Sequence, residues 1–213
     1  MSKRGKFIVL EGLDGSGTTT QAVMLCNYLF NKNKVHIPVL TREPTSLNPY
    51  GLEIRRRLKH EFFPHETVIN DFAYWANLFV NDRKWHLKNV VNDNVKNGLV
   101  VISDRHMLST LAYQSAQGGQ MEYLISLHES LTAPDLTLLL RVPVEVALGR
   151  IMANRSGTPE FFEKKDFLEK TAANYEQAIQ LVGKEQNVTI IDGTLPIADV
   201  HKHIQEEVNK LYG

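Results

Sequence analysis

The 213 residues include a single cysteine, Cys26, which rules out an intrachain disulfide and leaves no basis for a cysteine-built zinc site. Excess charge is missing as well. Lys and Arg number 24, Asp and Glu number 24, and the formal net charge is zero. Nothing argues for long-range attraction to nucleic acid or to an anionic membrane. Long apolar runs are also lacking. The N-terminal run from Phe7 to Leu10 is too short for a secretory h-region. No stretch approaches the roughly 20 residues of a membrane span. There is no repeat, no low-complexity tract and no Pro/Gly-rich linker. The eight histidines show no metal-ligand spacing. The expectation is one cytoplasmic domain over residues 1–213, with neither nucleic acid nor a membrane as partner.

What is present is an alternation of short β-branched runs and longer helical patterns. "KFIVLE", "VHIPVLT", "LVVISD", "DLTLLLRV" and "VTIID" read as five strands. Helices are predicted over about 18–30, 66–96, 143–153, 160–182 and 197–211. Two short ones are expected on either side of Gly118-Gly119. The fold class is α/β: a five-stranded parallel sheet flanked by helices. Ligands gather at the carboxyl ends of such strands. The polar clusters fall there: Glu11–Thr20, Thr41–Pro44, Asp104–Gln114 and Asp192–Thr194.

"GLDGSGTTT", Gly12–Thr20, follows a strand and opens a helix. That is the context of the phosphate loop GxxxxGK[ST]. Gly12 and Gly17 match its glycines and Thr19 its hydroxyl. Such a turn aims backbone N–H groups at an anion, and the helix start near Thr18 adds its positive end. Thr18, however, stands where the pattern has lysine. Alone, the loop reads either as a nucleotide site or as a structural turn.

Further segments follow in order: "TREP" (Thr41–Pro44), "GLEIR" (Gly51–Arg55), "LFVNDRKWH" (Leu78–His86), "SDRHMLSTLAYQ" (Ser103–Gln114), "APDLTLLL", "VPVEVALGR" and "IIDGTLPIADV". Together with the loop they resemble the thymidylate kinase family over nearly the whole chain. The resemblance implies a nucleoside-monophosphate kinase of the P-loop type. It would phosphorylate dTMP to dTDP with ATP and Mg²⁺, and a homodimer is implied as well.

The same resemblance implies roles. Gly12, Gly15, Ser16, Gly17, Thr18, Thr19 and Thr20 would hold the ATP phosphates, and Arg150 with Gly193–Pro196 the adenine. Thr19 and Asp104 would hold Mg²⁺. Transfer between polyanions needs converging cations, and Arg42, Arg55, Arg105 and Arg155 are the candidates. Asp14 would hold the acceptor sugar's 3′-hydroxyl, and Glu43 would lie near the acceptor phosphate. Phe79 would stack on the base, and Arg83, at i+4, would donate to it. Thr110 and Gln114 would touch the base, and Tyr113 would disfavour a ribose 2′-hydroxyl.

The sequence also departs from the family. A lid at about 150–165, "ANRSGTPEFFEKK", is expected to supply the cation missing at Thr18, through Arg155 or else Arg150, Lys164 or Lys165. Phe161 replaces an arginine there. Arg141 replaces an acidic residue in the fourth strand, and "TSLNPY" replaces the usual Gly-Gly-Thr after "TREP". Two alternatives stay open. One is a kinase for another monophosphate such as dUMP, or for a deoxynucleoside. The other is a nucleotide-binding regulator without kinase activity.

Overall fold

The computed structural model describes residues 4–32, 37–59, 71–154 and 164–212. The strands are β1 (Phe7–Gly12), β2 (Pro38–Arg42), β3 (Val100–Asp104), β4 (Leu136–Arg141) and β5 (Val188–Asp192). All pair in parallel, in the order β2-β3-β1-β4-β5. β1 lies at the centre, and every one of its residues is buried, as its unbroken apolar run requires. The register aligns the carboxyl ends: Leu10 faces Asp104, Arg42 faces Asp104, and Arg141 faces Asp192.

Helices α1 (Thr18–Lys32), α5 (Met107–Ala116), α6 (Met121–Ser126), α7 (Val144–Asn154), α8 (Lys165–Val182) and α9 (Ile197–Lys210) stand where the periodicity puts them. The expected start of α8 at 160, and most of the expected lid, lie outside the described residues. Leu25 and Leu29 of α1 pack with Val200, Ile204 and Val208 of α9 and with Ile8, Leu10 and Leu138. Leu108, Leu111 and Ala112 of α5 pack with Leu168, Tyr175 and Ala178 of α8. Each fully buried aliphatic side chain contributes about 1.5–3 kcal/mol of apolar transfer. Among the described residues, no helix is long and apolar enough to cross a membrane.

Two elements differ from expectation. Helix α2 (Pro49–Leu58) was not predicted. Its signals are a proline in the first turn and Asn48, whose side chain accepts from the Tyr50 and Gly51 amides. The predicted helix over 66–96 is α3 (Phe72–His86), a wide turn over Leu87–Val91, then α4 (Asn92–Lys96). In the wide turn the Asn92 amide reaches back five residues to the Leu87 carbonyl. Leu87, Val91 and Val95 thereby pack on Phe7, Val9 and Val101 of the sheet.

Candidate active site

A cleft of about 760 Å³ opens at the carboxyl end of β1, between the loop Leu13–Thr20 and the segment Gly193–Ile197. Gly17 has φ 99°, a backbone that side chains rarely adopt, and a Cβ there would meet nothing within 4 Å. The loop backbone thus has free space at Gly17. The amides of Thr18, Thr19 and Thr20 open α1 and have no backbone acceptor among the described residues. Donors and space coincide, as anion binding at a helix start requires. Arg150 closes the cleft. Its Nη1 donates to the Ser16 carbonyl at 3.3 Å and its Nη2 to the Gly193 carbonyl at 2.9 Å. Asp192 forms the adjacent turn by accepting from the amide and hydroxyl of Thr194, bonds that lower its pKa.

Thr18 is buried, so the lysine position carries no cation. Among the described residues lining this cleft, the cations are Arg105 and Arg150. Arg155 and Phe161 lie outside the described residues. Lys164 is exposed, and Lys165 lies 3.7 Å from Glu169 and 3.9 Å from Glu145, away from the cleft.

Thr19 Oγ1 donates to Asp104 Oδ2 at 2.5 Å. Asp104 Oδ1 is buried and has no hydrogen-bond partner among the described residues. A buried carboxylate oxygen left over beside a hydroxyl fits a hard divalent cation. Mg²⁺ needs only one or two protein oxygens when phosphates and water complete its shell. No group of three or more His, Cys, Asp or Glu suited to a metal exists among the described residues.

Asp14 and Arg105 line both this cleft and a second cavity of about 90 Å³. Arg105 Nη2 meets Asp14 Oδ1 at 2.7 Å, while Nη1 donates to the Gly12 carbonyl and to Ser109 Oγ, both at 2.9 Å. The Arg105 backbone sits at φ 77°, an uncommon conformation for a side-chain-bearing residue. Its amide bonds Leu10, and its carbonyl accepts from Ser103 Oγ, which holds that geometry. The Tyr113 hydroxyl donates to Asp14 Oδ2 at 2.9 Å and accepts from the Asp14 amide at 3.0 Å. Burial and the Asp14 carboxylate push the phenol pKa up, so it stays protonated.

The second cavity is lined by Phe79, Arg83, Thr110, Tyr113 and Gln114, with Glu43, Leu58 and His106. Trp75 backs Phe79 at a ring separation of 6.2 Å. The Arg83 side chain is buried and heavily bonded. Nε donates to Glu43 Oε2 at 2.8 Å, and Nη2 donates to the His106 carbonyl at 2.7 Å and to Thr110 Oγ1 at 3.1 Å. The other Glu43 oxygen receives Nδ1 of His86 at 2.9 Å and of His106 at 3.2 Å. Burial alone would raise the Glu43 pKa, but Arg83 and His106 hold it well below the usual carboxylate range. Gln114 Oε1 is buried without a partner among the described residues.

The structure therefore gathers most of the residues that the sequence pointed to. Arg42 and Arg55 stand apart from both cavities. Arg42 is exposed and, among the described residues, its side chain makes no hydrogen bond or ion pair. Arg55 turns its guanidinium onto the carbonyls of Pro44 and Thr45. Arg141 pairs with Glu176 at 2.6 Å on the surface, which accounts for a basic residue at that strand end.

Sequence reasoning missed several groups. Asp82 accepts from the Thr45 amide, Thr45 Oγ1 and Asn48 Nδ2, at 2.8, 2.6 and 2.6 Å. This clamp shapes the turn after "TREP". Glu11 accepts from the His106 and Ser109 amides, Ser109 Oγ and the Tyr175 hydroxyl, which pins the start of α5. His128 meets Arg83. A buried charge inside an apolar strand was the available signal for Glu11. His128 carried none.

The sequence profile described as thymidylate kinase matches residues 10–204. A thymidylate kinase of Brachyspira hyodysenteriae is 38% identical over 170 residues, covering 78% of this chain and 77% of that one. Probable thymidylate kinases of Thermococcus onnurineus and Pyrococcus horikoshii are 35% and 36% identical over 202 and 201 residues. The alignments cover 93% and 94% of this chain, and 94% of each relative. With a profile match that spans most of its length, the chain belongs to the thymidylate kinase family.

Proposed function

We infer that this chain is a phosphotransferase that moves the γ-phosphoryl group of ATP to dTMP, giving ADP and dTDP. The observation that carries this reading is the meeting of a large cleft and a smaller aromatic cavity at one ion pair, Asp14–Arg105. The donor phosphates take the amides of Thr18–Thr20, and Arg150 with Gly193–Pro196 takes the adenine. Thr19 and Asp104 hold Mg²⁺, which draws charge from the phosphate oxygens when bound. Arg105 offsets charge where donor and acceptor phosphates meet, so the chemistry is chiefly positioning and charge compensation.

In the smaller cavity the base stacks on Phe79. Arg83, Thr110 and Gln114 supply polar contacts, and Asp14 holds the sugar 3′-hydroxyl. The Tyr113 ring excludes a 2′-hydroxyl. Glu43 keeps Arg83 in place. The enzyme works as a cytoplasmic homodimer in dTTP synthesis.

Thr18 favours a second reading, a nucleotide-binding regulator without turnover. ADP release measured with dTMP, dUMP, dCMP and dGMP separates the two. Turnover highest with dTMP supports the kinase. dTMP binding without ADP release would overturn it.

A further inference from the structure

His128 lies just beyond α6 and is buried, yet nothing in the chemistry above uses it. Its Nδ1 faces the Leu124 carbonyl at 2.7 Å, and its Nε2 faces Arg83 Nη1. A carbonyl only accepts and a guanidinium only donates. One arrangement satisfies both neighbours: a neutral ring with hydrogen on Nδ1 and a bare Nε2. Burial first, and then the Arg83 charge, press its pKa down to about 3, which agrees with that neutral ring.

The Arg83 fork can be followed hydrogen by hydrogen. Nε and Nη2 both lie on Glu43 Oε2, Nη2 also serves His106 and Thr110, and one Nη1 hydrogen serves His128. One Nη1 hydrogen remains, on a residue that lines the cavity with Phe79. The guanidinium is planar, so restraint at all three nitrogens fixes its plane and the direction of that last hydrogen. Without His128, Nη1 would have no protein acceptor among the described residues. A carboxylate in its place would fix the fork too, but would cancel the charge that Glu43 already balances. A neutral acceptor holds the fork and leaves its charge unchanged.

We propose that His128 is a positioning residue for base selection. Its bare Nε2 aims the last Arg83 hydrogen at the base, favouring a pyrimidine with a carbonyl at C4 over one with an amino group. The inference rests on the base-site reading above and deepens it.

Steady-state kinetics with dTMP and dCMP test it in wild type, His128→Leu and His128→Gln. Leucine fills similar space without an acceptor, whereas glutamine can return an oxygen near the Nε2 position. We expect His128→Leu to raise KM for dTMP about tenfold, the scale of one charge-assisted hydrogen bond. The dTMP/dCMP preference should fall alongside, with kcat and KM for ATP within about threefold, and His128→Gln should restore most of the loss. An unchanged KM for dTMP in the leucine variant overturns the proposal. So does equal damage in both variants, or a matching rise in KM for ATP.

If the leucine variant does not fold, long-range ¹H–¹⁵N spectra of the wild type decide. A bare Nε2 whose signal moves with dTMP but not with dCMP supports the assignment. An Nε2 that carries hydrogen overturns it. Wild-type protein that leaves dTMP untouched would instead overturn the base-site reading itself.

Discussion

The Asp82 carboxylate, one turn before the end of α3, receives the Thr45 amide at 2.8 Å, and so ties that helix to the turn leaving β2. Asp82 is fully buried and has three donors. Asp82→Ala strands all three and should lower stability by about 3 kcal/mol or more. Asp82→Asn keeps one acceptor oxygen and should cost roughly half as much. Urea unfolding measures both. An alanine variant within about 0.5 kcal/mol of wild type would contradict the clamp.

Asp104 differs in kind, because one of its oxygens is buried without a partner. Asp104→Asn should therefore leave thermal stability almost unchanged, since it removes a charge that the fold does not fully satisfy. Its effect should appear instead in the Mg²⁺ titration of dTDP formation, with the half-saturating concentration raised about tenfold or more. Equal Mg²⁺ dependence in variant and wild type would remove Asp104 from the metal site.

The Tyr113 hydroxyl bridges the amide and carboxylate of Asp14. Tyr113→Phe deletes the bridge and keeps the ring. We expect kcat to fall about tenfold, the equivalent of one lost hydrogen bond in the transition state. Discrimination against the ribonucleotide should persist in this variant and weaken in Tyr113→Ala. Competition between dTMP and its ribose counterpart reads the difference.

Acid should weaken the fold in two stages. His128 has an ordinary pKa of 6.5 and a folded value near 3. As pH falls below 6.5, the unfolded chain takes up a proton that the folded chain refuses. Stability therefore drops toward pH 3, by at most about 1.4 kcal/mol per pH unit. His106, its pKa also lowered by burial, acts in the same direction. Glu43 is held well below 4.5, so its contribution is intact above that pH and disappears only as pH falls further. Between pH 6.5 and 5, His128→Gln should lose about 1–2 kcal/mol less than wild type in urea unfolding. Parallel slopes would refute this assignment of the first stage.

Much of this architecture was legible because one physical signal dominated each piece. The inner strands β1 and β4 are buried on both faces along nearly their whole length, so "FIVLE" and "LTLLL" could be read from composition alone. The loop Gly12–Thr20 announced itself by glycines between a strand and a helix. Helix α2 escaped because it is short and heavily charged, with Glu53 and Arg55–Arg57 among its ten residues, and its true markers, Asn48 and Pro49, are capping signals. The clamps were illegible for another reason. Asp82 with Thr45, Glu11 with Ser109, and His128 with Arg83 lie between 37 and 98 residues apart in sequence. Pairings of that span follow from tertiary packing, which local pattern does not encode. Arg42 shows the reverse case. Its strand-end position resembled that of Arg105, but it stands clear of both cavities.

The five-residue turn at Leu87–Val91 makes the long segment around it serve two clients. Before the turn, Phe79 and Arg83 line the second cavity, and His86 and Arg83 hold its Glu43 carboxylate. Within the turn and after it, Leu87, Val91 and Val95 pack on Phe7 and Val9 of β1 and Val101 of β3. One α-helical residue corresponds to about 100° of rotation. Deleting a single residue there would swing one half out of phase with the other, and the chain would have to give up either its grip on the sheet or its aim at the nucleotide.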